Sequence, residues 1–287
     1  MILKIFLSYY NLPKNVLRVI FLEFSLSLIH VAFILILNIY LRKKGFNDPS
    51  IASLNSLRFI GALVFALPLG IYIRGKRLKP FFIFASLIVP FTSILIIESI
   101  HNNFFMLIQL GFFLWGIGVM LMRVCCLPFI IRITNSENST EALSLSASTW
   151  ALATIISGLI ISGLNWLSIL ELGDHILIFD ERLILWIITL LGASSIYYAI
   201  KIKEKKPDTN NENDTFSIRK SYDWGIIFKA ISPLVIIAIG AGLTIPFVNL
   251  FFNSVFGLSG SDYSLLGSIT AFLVFSFSLL VPSLRKR

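Results

Sequence analysis

Four ionisable residues sit inside long apolar runs, where a charge is costly and needs a reason. They are Glu23, His30, Arg58 and Arg123. A charged side chain at the centre of a membrane helix costs roughly 2.5–3.5 kcal/mol on insertion scales, so such residues mark ion paths, substrate contacts or buried pairs. Glu23 can carry a proton or act in a gate; Arg18 could neutralise it, or it could snorkel to the interface. His30 can switch protonation, or stay neutral and bond a neighbouring helix. Arg58 can bind an anionic solute, pair with a carboxylate or snorkel outwards. Arg123 is a further candidate for the solute path. Asn38 and Asn249 add polar amides near the ends of two runs, where an amide can bond a solute, cap a helix or bridge two helices.

The remaining chemistry is sparse. Gly116-Ile-Gly118 lacks the strand-to-helix setting of a nucleotide loop, and no lysine follows a glycine-rich turn to cradle phosphates. No His, Glu or Asp cluster has metal-ligand spacing. Cys125 and Cys126 are adjacent within an apolar run and form neither a disulfide framework nor a zinc site. The chain therefore reads as a non-enzyme with no cofactor and no metal.

The elements that position these residues follow from composition. Of 287 residues, 56% are hydrophobic and 14% charged. A soluble domain carries about 25% charged residues. Too few polar groups remain to cover a water-soluble fold of this size, so the lipid bilayer is the expected solvent. In lipid every backbone polar group must be bonded within the protein, which leaves helices or closed barrels. The apolar runs are long and unbroken, unlike the alternating strands of a barrel. The expected fold class is an all-α integral membrane protein.

A spanning helix needs about 20 apolar residues. Eight segments qualify, near Val19–Leu41, Ile51–Ile73, Pro80–Ser99, Phe104–Ile131, Ala142–Ile169, Leu183–Ile200, Ile226–Phe252 and Tyr263–Leu284. Met1 to Tyr10 is too short to span and precedes no cleavage site, so it reads as an interfacial lead-in. The net charge of +9 sits in short clusters beside the apolar runs. That is a topology signal, not a nucleic-acid surface. Lys4, Lys14, Arg18, Arg74, Lys76, Arg77, Lys79, Arg132, the cations from Lys201 to Lys220, and Arg285 to Arg287 fall on one side. Glu98, His101, Glu171, Asp174, Asp180 and Asp262 fall on the other. Arg42, Lys43 and Lys44 violate the asymmetry. The expectation is a multi-pass protein of the cell membrane, inner or plasma, with a cytoplasmic N-terminus. The N-x-T sequons at Asn138 and Asn213 fall on its inner side and read as chance.

Residues 201–223 form the long polar stretch, too hydrophilic to bury a core. It divides the chain into 1–200, with six spans, a flexible cytoplasmic linker at 201–223, and 224–287, with two. The seventh span repeats the first. Leu37-Asn38-Ile39-Tyr40, Gly45 and Leu54-Asn55-Ser56 match Val248-Asn249-Leu250-Phe251, Gly257 and Leu266-Gly267-Ser268. Pro68 before Arg74-Gly75-Lys76-Arg77 matches Pro282 before Arg285-Lys286-Arg287. Both copies start on the same side, so the repeat is parallel. Gly240, Gly242 and Pro246 interrupt the seventh span and suit a kink. Ala142, Ser146, Thr149, Ala153 and Ser157 form a small-residue stripe at helical spacing, a close-packing face.

Six spans, a charged linker and a parallel second copy are the layout of major facilitator superfamily transporters. The chain resembles that family at Gly242-Leu-Thr-Ile-Pro246-Phe-Val-Asn249, at Pro128-Phe-Ile-Ile-Arg132 with the Ser/Ala-rich fifth span, and at Gly70-Ile-Tyr-Ile-Arg74-Gly75-Lys76-Arg77. The last motif departs from the family pattern: its usual acidic residue is absent and its spacing is shortened. The resemblance implies a helical bundle with a six-span N-terminal half and the first two spans of a C-terminal half. It implies secondary active transport of a small solute by alternating access, with protons as a candidate coupling ion. Transport-path candidates are Glu23, His30, Asn38, Arg58, Arg123 and Asn249; gating or kink candidates are Gly70, Arg74, Gly242 and Pro246. Family members have twelve spans as a rule, so the chain reads as truncated or partial, inactive alone unless a complement joins it. The rival readings are a transport-inactive membrane scaffold or sensor and an intramembrane enzyme acting on a lipid-linked substrate.

Overall fold

A computed structural model describes Tyr9 and residues 12–135, 138–169, 179–204 and 223–285. Lys4, Glu171, Asp174, most of the 201–223 linker, the sequon at Asn213, Lys286 and Arg287 lie outside the described residues. Eight described helices are long and apolar enough to cross a membrane. They are α1 Lys14–Lys43, α2 Asp48–Tyr72, α3 Lys79–His101, α4 Phe105–Ile133, α5 Ser139–Ile169, α6 Glu181–Lys201, α7 Trp224–Phe256 and α8 Gly260–Arg285. The described residues contain no strand.

Helix α1 is the hub. In its most apolar stretch 72% of the residues are buried, against 22% for α2 and 17% for α7. It packs on α5, α6 and α4. Apolar side chains gain nothing by leaving lipid for another apolar surface, so close approach of backbones must hold such a bundle. Glycine permits that approach. On α4, a Cβ at Gly116 would strike the Arg58 carbonyl of α2, and one at Gly61 would strike the Phe113 carbonyl of α4. The α5–α8 pair is closed the same way, with Gly158 against Ser264 and Ser268. Ser162 and Asn165 donate to Ser261 at 2.8 and 2.7 Å across that seam. The stripe on α5 faces α1, where Ser157 Oγ donates to the Leu28 carbonyl at 3.1 Å.

Three spans are less regular than hydropathy suggests. Helix α1 widens into a π-helical segment at Phe33–Leu37. Helix α6 breaks near Gly192–Ser195, where Gly192 lies tight against Ile29 and the Ser25 carbonyl of α1. Helix α7 narrows to a 3₁₀ turn at Ile245–Phe247, which carries Pro246, while Gly240 and Gly242 continue the helix before it. The interruption thus centres on proline, which lacks the N–H that a regular turn needs. The stretch Trp224–Thr244 buries no residue and turns its apolar side chains outwards.

The two ends differ in charge. At one end Glu204 accepts from the Leu78 and Lys79 amides at 2.9 and 2.8 Å, capping the start of α3. Arg18 donates to the Lys201 carbonyl at 2.7 Å and Arg132 to that of Lys76 at 2.8 Å. At the other end two of the three cations that violate the loop asymmetry meet acids. Arg42 pairs with Asp48 and Lys43 with Glu181, each at 2.5 Å. Arg182 and Trp186 both donate to Glu98.

Candidate functional site

The interior cluster starts from spacing on α1. Glu23 and His30 are seven residues apart, two turns on one face. That face looks towards α4 and α5. Glu23 accepts from Ser146 Oγ of α5 at 2.6 Å and from Cys126 Sγ of α4 at 3.2 Å. Arg123 stands one turn before Cys126 on α4 and makes no ion pair with Glu23 among the described residues. Arg18 does not reach it, because its guanidinium is held by Asn15 and the Lys201 carbonyl.

His30 lies between two tryptophans. Its ring centroid is 5.1 Å from that of Trp115, stacked, and 5.1 Å from that of Trp150, edge-on. Each tryptophan also carries a guanidinium. Arg58 lies 5.3 Å from the Trp115 ring and 4.4 Å from that of Phe59. Arg123 lies 4.9 Å from the Trp150 ring. The five side chains form a continuous row, Arg58–Trp115–His30–Trp150–Arg123, drawn from α2, α4, α1, α5 and α4. Cation–π contact replaces part of the water that a guanidinium loses in such a place. Arg58 is 8% exposed and makes no ion pair among the described residues. It neither snorkels outwards nor pairs with a carboxylate there.

A cavity of about 320 Å3 opens beside this row and reaches three of its members, lined by His30, Arg58, Phe59, Ala62, Met120 and Arg123 among others. It lies at the lower end of the size range of small-molecule sites. Its remaining lining is apolar, so three ionisable groups supply the polarity.

Asn38 and Asn249 are elsewhere, at the α1–α7 contact. Asn38 Nδ2 donates to the Pro246 carbonyl, and Asn249 Nδ2 to those of Ile34 and Leu35 at 3.0 and 3.2 Å. Asn55 Nδ2 donates to Asn38 Oδ1 at 3.1 Å. Their amides bridge helices and do not line the cavity. Gly70 is helical and crowded by nothing, and Arg74 follows the end of α2 in the turn at Gly75. Gly242 is likewise uncrowded, while Pro246 forms the narrow turn of α7.

Thus four of the ten site residues expected from sequence come together: His30, Arg58 and Arg123 at the cavity, and Glu23 beside them. Trp115, Trp150, Ser146 and Cys126 complete the cluster. Part of a signal for them existed: Trp115 and Arg123 are eight residues apart on α4, and Ser146 and Trp150 four apart on α5, each pair on one helix face. Among the described residues no group of His, Cys, Asp and Glu could hold a metal ion.

No curated protein matches the chain. The Major Facilitator Superfamily sequence family matches residues 19–287. That match takes in α1 from Val19, the other seven spans and every member of the cluster, and the chain belongs to the major facilitator superfamily of membrane transporters.

Proposed function

We propose that the chain works in secondary active transport, moving a small solute by alternating access at the cavity between α1, α2 and α4. The observation that carries this reading is the row from Arg58 to Arg123. Ionisable side chains gather along one cavity, with Arg58 buried, His30 half-buried and Arg123 exposed, while the outer faces of α2 and α7 are apolar. Membrane proteins place such groups where a solute or ion passes. Glu23 is the proposed proton carrier: it is half-buried and bonded by Ser146 and Cys126. Loss of its charge would change the electrostatics beside the cavity. Residues 1–200 and 224–287 belong to two halves joined by the polar linker, and the matched asparagines of α1 and α7 support a parallel repeat. Asn38 follows directly on the π segment of α1, and Asn249 comes two residues after the 3₁₀ turn of α7. Gly45 and Gly257, matched in the same repeat, both take positive φ, at 90° and 66°. The protein sits in the cell membrane with its basic end in the cytoplasm.

Sided labelling tests alternating access without knowing the solute. Ala62 lines the cavity, and both native cysteines are buried. A cysteine replacing Ala62 is expected to react with a membrane-impermeant thiol reagent from either face of sealed vesicles. Reaction from one face alone contradicts alternating access, and reaction from neither removes the cavity from the pathway.

A further inference from the structure

The cavity carries two guanidinium groups and a neighbouring carboxylate. Glu23 accepts from Ser146 and from Cys126, the latter one turn beyond Arg123 on α4. Arg58 is buried, faces the cavity and has no ion pair among the described residues. We infer that the cavity selects an organic anion, a carboxylate borne on a flat ring, with Arg58 as its charge partner.

The inference rests on the cavity being the solute site, and it names the solute class. A neutral solute would leave the Arg58 charge desolvated and unpaired. A cation would be repelled by it. A carboxylate matches the planar fork of a guanidinium and accepts two parallel N–H bonds. The rest of the lining asks for an apolar body. Phe59 and Ala62 stand beside Arg58, and the rings of Phe59 and His30 offer flat faces in the lining, the latter backed by Trp115 and Trp150. Aromatic rings prefer offset-stacked or edge-on partners, which a planar solute supplies. Two further polar atoms of the cluster, His30 Nδ1 and Trp115 Nε1, are buried without a hydrogen-bond partner among the described residues. A cluster optimised for stability alone would not retain an unpaired cation and two unsatisfied nitrogens.

The test is ligand binding to the full chain in lipid nanodiscs, read by tryptophan fluorescence. The probes are benzoate and indole-3-carboxylate, each against its neutral amide, with acetate as a ringless anion. Each acid is expected to bind about tenfold or more tightly than its amide, as a charge-assisted bond in a dry site requires. Acetate is expected to compete poorly. Arg58→Gln is expected to bring acid and amide to within about twofold of each other, and Arg58→Lys to keep a weaker preference for the acid. Equal binding of acid and amide by the wild-type chain overturns the inference. So does an unchanged preference in Arg58→Gln. Should Arg58→Gln fail to fold, Arg58→Lys decides, and an unaltered acid affinity there counts against the proposal. Acid preference without two-sided labelling at Ala62→Cys sinks the transport reading and leaves the anion site standing. Two-sided labelling without acid preference does the reverse.

Discussion

Asn38 of α1 and Asn249 of α7 each donate a side-chain N–H to the other helix's main chain, Asn38 to Pro246 and Asn249 to Ile34 and Leu35. All three acceptors come from irregular turns, the 3₁₀ segment of α7 and the π segment of α1. A π turn or a proline leaves carbonyls without regular helical partners, and in a bundle interior each must find a donor. The reciprocal amides supply them and fix the register of α7 on α1.

Asn249 is 1% exposed. Replacing it by alanine strands two carbonyls, at about 1–3 kcal/mol for unsatisfied buried groups. Asn249→Asp is expected to be worse than Asn249→Ala, because an ionised carboxylate has no proton to give the carbonyls. Thermal midpoints in detergent check the order. An Asp variant as stable as wild type would contradict the assigned bonds.

Gly116→Ala and Gly163→Ala form a matched pair. A Cβ at Gly116 meets the Arg58 main chain, which cannot swing aside, whereas one at Gly163 meets nothing. The first is expected to destabilise by about 1–3 kcal/mol or more, as overpacking does. The second is expected to be neutral or to stabilise by about 0.5–1 kcal/mol through its helical preference. The two thermal shifts should have different signs or differ at least severalfold in size.

Ser146→Ala removes the 2.6 Å donor to Glu23 while leaving Cys126 in place. The expected cost is about 1–2 kcal/mol, since the acceptor is a half-buried carboxylate. In a Glu23→Gln background the same change should cost less, because a neutral amide needs the donor less. A double-mutant cycle on thermal stability measures the coupling, and additive effects would argue that the hydroxyl acts on something else.

At the acid-rich end Arg182 meets Glu98 through two bonds, at 3.0 and 2.6 Å, but both side chains are about a third exposed. Glu98→Gln is therefore expected to cost about 1 kcal/mol or less at low salt, and less still at 1 M salt. Trp186 Nε1, at 2.7 Å from the same carboxylate, can keep its bond to the amide oxygen. Unfolding midpoints at two ionic strengths test this.

Orientation is testable at single loops. Arg77→Cys is expected to react with an impermeant reagent in inverted vesicles, and Asn102→Cys in right-side-out ones. The reverse pattern would invert the assignment of the basic end.

The eight spans were legible in the sequence because the need to satisfy the backbone in lipid acts locally, on each run of about 20 residues. So were the individual candidates Glu23, His30, Arg58 and Arg123, since a charge in an apolar run is conspicuous wherever the helix is placed. The α5 stripe from Ala142 to Ser157 was legible for a similar reason, as a face defined by helical period. Hydropathy is blind to which helix faces which, because lipid and helix surface are equally apolar. Only the tertiary structure brought Arg58 of α2 and Arg123 of α4 to one cavity, with Trp115, His30 and Trp150 between them. It also held Arg18 away from Glu23 and turned Asn38 and Asn249 into struts between helices. The π segment at Phe33–Leu37 belongs with these, as a helix can leave its regular pattern in lipid only where a neighbour such as Asn249 supplies the missing bond.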